Sequence, residues 1–324
     1  MQLRVIFILL AGILLVGCQS GFVDTSRDLP VRVAAPLSTS QFFNFAWVDN
    51  QTFVIVDNDS FPQMWFLDTN TQEKTSIHIE TTCKRPFVRD LQRLPDQSIG
   101  FILSCNNPKT EIFQRINRDT NSSSNAYIEP TIRYLGSFNY SANMKELILL
   151  DVQDVYLESS IYHVGINGER KNITPEFLRA YHPDWSSKNN LVAFFGTKPY
   201  PGSDDEIKHF SETEKLLDYP WRVYLYNPED LTIKEIPIDV IGPNGLKWSP
   251  DGKTLAFSGA YKRVPGMWLV SNLENPDNLI ITRVVDGLGI FDFSPDGKSM
   301  AFAYTGLQNK EKQNKLYVVS LPDT

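Results

Sequence analysis

The chain has 324 residues, 42% of them apolar and 12% aromatic, enough to fill one large all-β domain or two average domains. Acidic residues outnumber basic ones 38 to 31, for a net charge of −7. With no basic stripe along the chain, this balance excludes nucleic acid and an anionic membrane surface as natural partners and reads as acidic solubility.

The N-terminal segment differs from everything after it. Arg4 is its one charge, and residues 5–17, VIFILLAGILLVG, form an apolar run too short to span a bilayer as a mature helix. The run ends LVGC at Cys18, followed by Gln19 and Ser20. This pattern resembles the lipobox of bacterial lipoprotein signals. The resemblance implies cleavage before Cys18, residues 1–17 as signal peptide, and a mature chain anchored to a membrane through lipid on Cys18. Two or three acyl chains anchor stably where one would not. An ordinary secretory signal with a chance cysteine is the alternative. Gln19 is not the aspartate that, by family sorting habit, retains lipoproteins at an inner membrane. The expected address is the outer membrane where the source has one, and otherwise the outer face of the plasma membrane. Residues 18–30 read as a polar tether ending at Pro30, whose last twelve residues reach roughly 40 Å when extended.

From residue 31 on, the chain is organised by a repeat. WSPDGKTLAF at 248–257 returns as FSPDGKSMAF at 293–302. Weaker copies begin at Trp47, Arg93, Tyr140 and Trp185, so the markers are 46, 47, 45, 63 and 45 residues apart. Five of the six markers are aromatic; Arg93 is the exception. In Ser-Pro-Asp-Gly, Ser, Pro and Gly take the first, second and fourth positions of a type I turn, because Pro presets φ and Gly relieves the exit. Strand-like segments follow each marker, such as VYLYN at 223–227, MWLVS at 267–271 and LYVVS at 316–320. A period near 45 with several short strands predicts a β-propeller, here of six four-stranded antiparallel blades over residues 31–324. Asp251, Gly252, Asp296 and Gly297 are accordingly turn residues rather than chemistry.

The repeat resembles that of TolB-type propellers and of prolyl oligopeptidase propeller domains. It is strong in blades five and six, fair in blade four, and weak in blades one to three. The resemblance implies a six-bladed ring used as a recognition surface, which in TolB-like proteins binds other proteins of the envelope.

Alternation along the inner strands assigns their faces. Two residues before each marker stand Phe45, Leu91, Phe138, Pro183, Leu246 and Phe291, predicted to pack between blades. One residue before stand Ala46, Gln92, Asn139, Asp184, Lys247 and Asp292; three before stand Asn44, Asp90, Ser137, His182, Gly245 and Ile290. These two sets are assigned to a central channel. Asp90, His182, Asp184, Lys247 and Asp292 are therefore the candidate binding residues, with a water-filled channel of mutually satisfied polar groups as the bland alternative. The sixth blade runs out of chain before a fourth strand, and residues 31–37, VRVAAPL, are expected to supply it and close the ring.

Two further features depart from the repeat. Cys83 and Cys105 fall at one end of a hairpin, in an export compartment that permits a disulfide worth ~3 kcal/mol; two separate buried thiols are the alternative. The 63-residue interval of blade four carries an insertion within 196–220. Ser203 and Glu206 form a capping box there, and Ile207, Phe210 and Leu217 share one helical face, predicting a helix over about 203–218. That helix is a candidate lid or partner-docking element, or a decoration packed on its neighbours.

Carboxylates also recur in the expected loops, at Asp57, Asp59, Asp151, Asp154, Asp204, Asp205 and Glu206. Oxygen clusters suit calcium. These are dispersed around a ring, so they read as solvated acids, and neither a metal site nor a cofactor is expected. No G-x-S-x-G, H-E-x-x-H or C-x-x-C motif is present, and the chain has four histidines. The first reading is a lipid-anchored scaffold for a protein partner in the cell envelope. The second is a small-molecule or glycan binder at the channel mouth, and the third a carboxylate-based hydrolase or lyase.

Overall fold

The computed structural model describes residues 29, 31–36, 43–58, 61–106, 109–129, 135–154, 158–177, 179–197, 221–304 and 315–322. Cys18 and the expected helix over 203–218, with Ser203, Ile207, Phe210 and Leu217, lie outside them.

All regular structure among the described residues is β-strand, apart from one 3₁₀ turn at Pro276–Asn278. After β1 (Val31–Pro36), the strands follow one another in antiparallel groups of four; the first, second and last groups are separate four-stranded sheets, and the three between are joined into one twelve-stranded sheet, by a parallel pairing of Ser159 with Arg179 and by Val240 and Ile241 pairing with Tyr261 and Ala260. The first group is β2 (Phe43–Trp47), β3 (Thr52–Asp57), β4 (Gln63–Asp68) and β5 (Lys74–Ile77). The next is β6 (Pro86–Arg93), β7 (Ile99–Asn106), β8 (Lys109–Asn117) and β9 (Ser122–Glu129). Then come β10 (Leu135–Tyr140), β11 (Leu147–Asp154), β12 (Glu158–Val164) and the short β13 (Arg170–Asn172). They are followed by β14 (Arg179–Trp185), β15 (Val192–Thr197), β16 (Trp221–Asn227) and β17 (Thr232–Ile241). The fifth group is β18 (Leu246–Trp248), β19 (Leu255–Tyr261), β20 (Val264–Ser271) and β21 (Ile280–Asp286).

The last stretch supplies three strands, β22 (Gly289–Phe293), β23 (Ser299–Tyr304) and β24 (Lys315–Ser320). The fourth comes from the start of the domain: β1 pairs antiparallel with β24, Val31 opposite Val319 and Pro36 opposite Lys315, across a bulge between Val33 and Ala35. Residues 31–37 are expected on this edge, and β1 covers there what would otherwise be an open row of N–H and C=O groups.

Each group meets the next through its side-chain faces, and buried clusters mark the joins. Val54, Val56, Val88 and Phe101 share one cluster, and Phe113, Phe138 and Leu149 another. Ile148, Trp185 and Phe194 pack together, as do Phe195, Trp248 and Phe257, and Leu269, Phe291 and Phe302. A further cluster joins the last group to the first: Ala301, Leu316 and Val318 pack with Trp47, Phe53 and Ile55, and with Ala34 and Ala35 of β1. Large aromatic and β-branched residues dominate these faces because pleated surfaces pack best with them.

The tight turns repeat as well. Gly252 N donates to the Ser249 carbonyl and Gly297 N to that of Ser294, with both glycines at positive φ (73° and 72°). Asp251 and Asp296 cap these turns, accepting the Ser249 and Ser294 hydroxyls and the Lys253 and Lys298 amides. Their carboxyls titrate below the ordinary value: burial opposes the charge, but these hydrogen bonds outweigh it.

Candidate functional site

The inner strands β6, β10, β14, β18 and β22 converge on a cavity of about 390 Å³, whose lining includes Asn44, Asp90, Gln92, His182, Asp184 and Lys247. The residues two before each marker are buried, as alternation requires, while those three before are partly exposed toward the cavity. Two of the latter sit in strained backbone: Asp90 at φ 49° and His182 at φ 51°. Each lies within a bulge, between Arg89 and Gln92 on β6 and between Tyr181 and Asp184 on β14. A bulge bends its strand and re-aims side chains, and Asp and His are among the residues that tolerate this region.

The candidate residues form a chain of hydrogen bonds from group to group. Asp90 Oδ2 accepts the Phe138 amide of β10 at 2.9 Å. Gln92 Nε2 donates to the Phe138 carbonyl, and Asn139 Nδ2 donates to Gln92 Oε1 at 3.1 Å and to Asp184 Oδ1 at 2.8 Å. The other oxygen of Asp184 accepts the Trp248 amide at 2.6 Å. Lys247 Nζ pairs with Asp292 Oδ1 at 3.1 Å, and Asp292 Oδ2 accepts the Trp47 amide at 3.1 Å. Asp292 stands behind Lys247 rather than in the cavity wall. The structure thus brings four of the five sequence-predicted residues to the cavity and couples the fifth to it through Lys247.

Burial sets the electrostatics. It raises the Asp90 carboxyl to about 6, against the Phe138 hydrogen bond and the charges of Lys247 and Arg89. Asp184 is raised for the same reason, with Asp292 adding to the shift and Lys247 opposing it. Burial lowers His182 to about 4, with only a bond to the Pro243 carbonyl working the other way. Lys247 loses hydration, yet Asp292 and Asp184 overcome that loss and hold its ammonium charged above the ordinary lysine value. The result is one cation among three carboxylates, beside a neutral imidazole. Among the described residues, no three His, Cys, Asp or Glu side chains are placed to hold a metal ion.

Other residues fall elsewhere. Cys83 and Cys105 are joined by a disulfide with Cα atoms 5.5 Å apart, tying the approach to β6 to the end of β7. Asp57, Asp151 and Asp154 lie on β3 and β11 rather than in loops, and Asp59, Asp204, Asp205 and Glu206 are outside the described residues.

Sequence reasoning missed the side chains that bridge groups away from the cavity. Asn58 donates to the Val88 carbonyl and accepts its amide, Ser159 does the same with Ala180, and Ser258 accepts the Gly289 amide. They share no motif, Asn58 just past β3, Ser159 near the start of β12 and Ser258 within β19; their only signal is a small polar residue beside an apolar run.

No protein-family model matches the chain, and no curated protein matches it. Solved structures do. TolB from Acinetobacter baumannii aligns with a TM-score of 0.55 at 12% identity, over 81% of this chain and 60% of its own length, so this chain spans less than two thirds of that protein. An oligogalacturonate lyase from Vibrio parahaemolyticus gives a TM-score of 0.55 at 14% identity, over 93% of this chain and 96% of its own. A gluconolactonase from Xanthomonas campestris gives 0.55 at 11%, over 91% and 90%. At these identities the likeness concerns the fold alone, a TolB-like β-propeller.

Proposed function

We propose that this propeller is a closed ring of six blades, exported and held to a membrane by lipid on Cys18, and that it works as a protein-binding scaffold in a bacterial cell envelope. The observation that carries the reading is where the channel carboxylates spend their hydrogen bonds. Asp90, Asp184 and Asp292 each accept a backbone amide from another four-stranded group. Groups engaged in locking the ring are poorly free to exchange protons with a substrate, whereas a rigid ring suits presentation of loops to a partner. The cluster and hydrogen bonds joining the last group to the first support closure, and the LVGC pattern supports the anchor. Likeness to TolB is compatible with an envelope partner but carries no function by itself.

A second reading, binding of a small molecule or glycan at the channel mouth, draws on the 390 Å³ cavity with its mixed charges. The same fold serves the oligogalacturonate lyase and the gluconolactonase, whose activities belong to those proteins. Crosslinking mass spectrometry on intact cells tests the first reading. Wild-type protein should capture a reproducible envelope partner, and Cys18→Ser should lose both palmitate labelling and that capture. Absence of any partner, combined with a rise in melting temperature on a sugar and metabolite panel, would move the assignment to the second reading.

A further inference from the structure

At the other end of the inner strands, where they run into the tight turns, lies a separate cavity of about 410 Å³. Its walls include Phe66, Ile99 and Ile116, and its polar lining includes Arg93, Arg118 and Asp49. Arg93 holds the marker position that the other repeats give to Trp47, Tyr140, Trp185, Trp248 and Phe293. Its Nε is buried without an acceptor, and among the described residues the Arg93 side chain forms no hydrogen bond or ion pair.

Two carboxylates bear on Arg93, Asp49 in the cavity lining and Asp292, and each is paired with another cation: Asp49 with Arg118 at 3.0 Å and Asp292 with Lys247 at 3.1 Å. Burial lowers the pKa of Arg93, with the charges of Asp292 and Asp49 opposing that shift. Holding a part-buried guanidinium with no carboxylate in direct contact is costly, and a ligand that brings one recovers the cost. A guanidinium presents a planar fork of donors that fits a carboxylate, and the apolar walls call for an apolar body beside it. A volume near 400 Å³ lies in the range of small-ligand sites, roughly 300–1,000 Å³.

We propose that the Arg93 cavity binds a carboxylate borne on an apolar body, with the guanidinium as its counter-charge and Phe66, Ile99 and Ile116 as the seat for that body. The carboxylate can come from a free small acid or from the C-terminal residue of a peptide. The site is independent of the channel mouth and of the envelope-scaffold reading.

The test uses the full chain with phenylacetate, its neutral analogue phenylacetamide, and a short acetylated peptide ending in phenylalanine as free acid or as amide. Thermal shift and calorimetry should detect a free carboxylate and not its amide. Binding should fall roughly tenfold or more in Arg93→Gln. Arg93→Trp, which installs the residue found at equivalent positions, should fold at least as stably as the parent and also lose binding. Arg93→Lys should keep part of it. A preference for phenylacetate over the peptide acid names the small-acid source, and the reverse names the peptide. Equal binding of acid and amide, undiminished binding in Arg93→Trp, or no response to either carboxylate would overturn the proposal.

Discussion

Asp292 on β22 accepts the backbone amide of Trp47 on β2 at 3.1 Å, and the Trp47 indole donates to the Asp292 carbonyl at 3.2 Å. These bonds span 245 residues of sequence. They fix the last repeat against the first at the inner strands, while β1 does the same at the outer edge by pairing with β24. Asp292 also carries the ion pair to Lys247, so one carboxylate serves two neighbouring groups of strands.

Asp292→Ala should therefore cost more than an ordinary core truncation. It leaves the buried Trp47 amide without its acceptor and Lys247 without its direct ion-pair partner, a loss of about 3 kcal/mol in urea unfolding. Asp292→Asn keeps an acceptor for the amide and loses the ion pair, so its cost should be smaller. Equal, small shifts in both variants would show that this carboxylate does not hold the two ends together.

Removing residues 1–36 deletes β1. The outer edge of β24 then faces solvent, and Leu316 and Val318 lose the cover of Ala34 and Ala35. The melting temperature should fall by about 5 °C or more. Ala35→Asp, which places a charge at a position 2% exposed, should act in the same direction. A deletion variant that melts like the parent would mean that the β1–β24 pairing contributes nothing to stability.

The repeat was legible because its turns are chemically demanding. A fourth turn position at positive φ favours glycine, and Gly252 and Gly297 declare it openly. Gln97 (φ 70°) and Met144 (φ 60°) adopt the same conformation without glycine, which is why the second and third copies read faintly. Alternation likewise found the cavity-facing sets, since Asp90, His182, Asp184 and Lys247 meet in one wall. The bulges at Asp90 and His182 left no such mark, because Asp and His enter that backbone region without a diagnostic neighbour. Arg93 was visible as an exception among aromatic markers, but its lack of a direct partner depends on Asp49 pairing with Arg118 and Asp292 with Lys247, which only packing decides.

The Cys83–Cys105 disulfide closes a loop with a sequence separation of 22. Constraining such a loop in the unfolded chain is worth about 3 kcal/mol. Cys105→Ser should lower urea stability by about that amount, and a reductant should lower the parent's stability but not the variant's. Alkylation followed by electrophoresis with and without reductant checks the bond itself. Equal mobility and full alkylation of unreduced, unfolded parent protein would refute it.

The channel mouth should give two opposing pH dependences. Asp90 titrates at about 6 in the folded protein, against an ordinary value near ~3.9, so the folded state holds its proton more tightly. Its contribution to stability is greatest below about pH 4 and is lost as pH rises through about 6. His182 titrates at about 4 instead of ~6.5, so the folded state resists its protonation. Its contribution is present above about pH 6.5 and is lost as pH falls through that range to about 4. Each effect is of order 3 kcal/mol at its full extent, at ~1.4 kcal/mol for every tenfold change in proton affinity, and between about pH 4 and pH 6 the two largely cancel. Single variants should separate them. Asp90→Asn should be more stable than the parent at pH 7 and lose stability faster on acidification, since Asn tolerates the positive φ and can still accept the Phe138 amide. His182→Gln should gain stability on acidification relative to the parent. The carboxylates common to both variants drop out of the comparison, so urea denaturation of the two between pH 4 and pH 7 isolates the pair. Parallel curves would show that burial of Asp90 and His182 is not what sets their protonation.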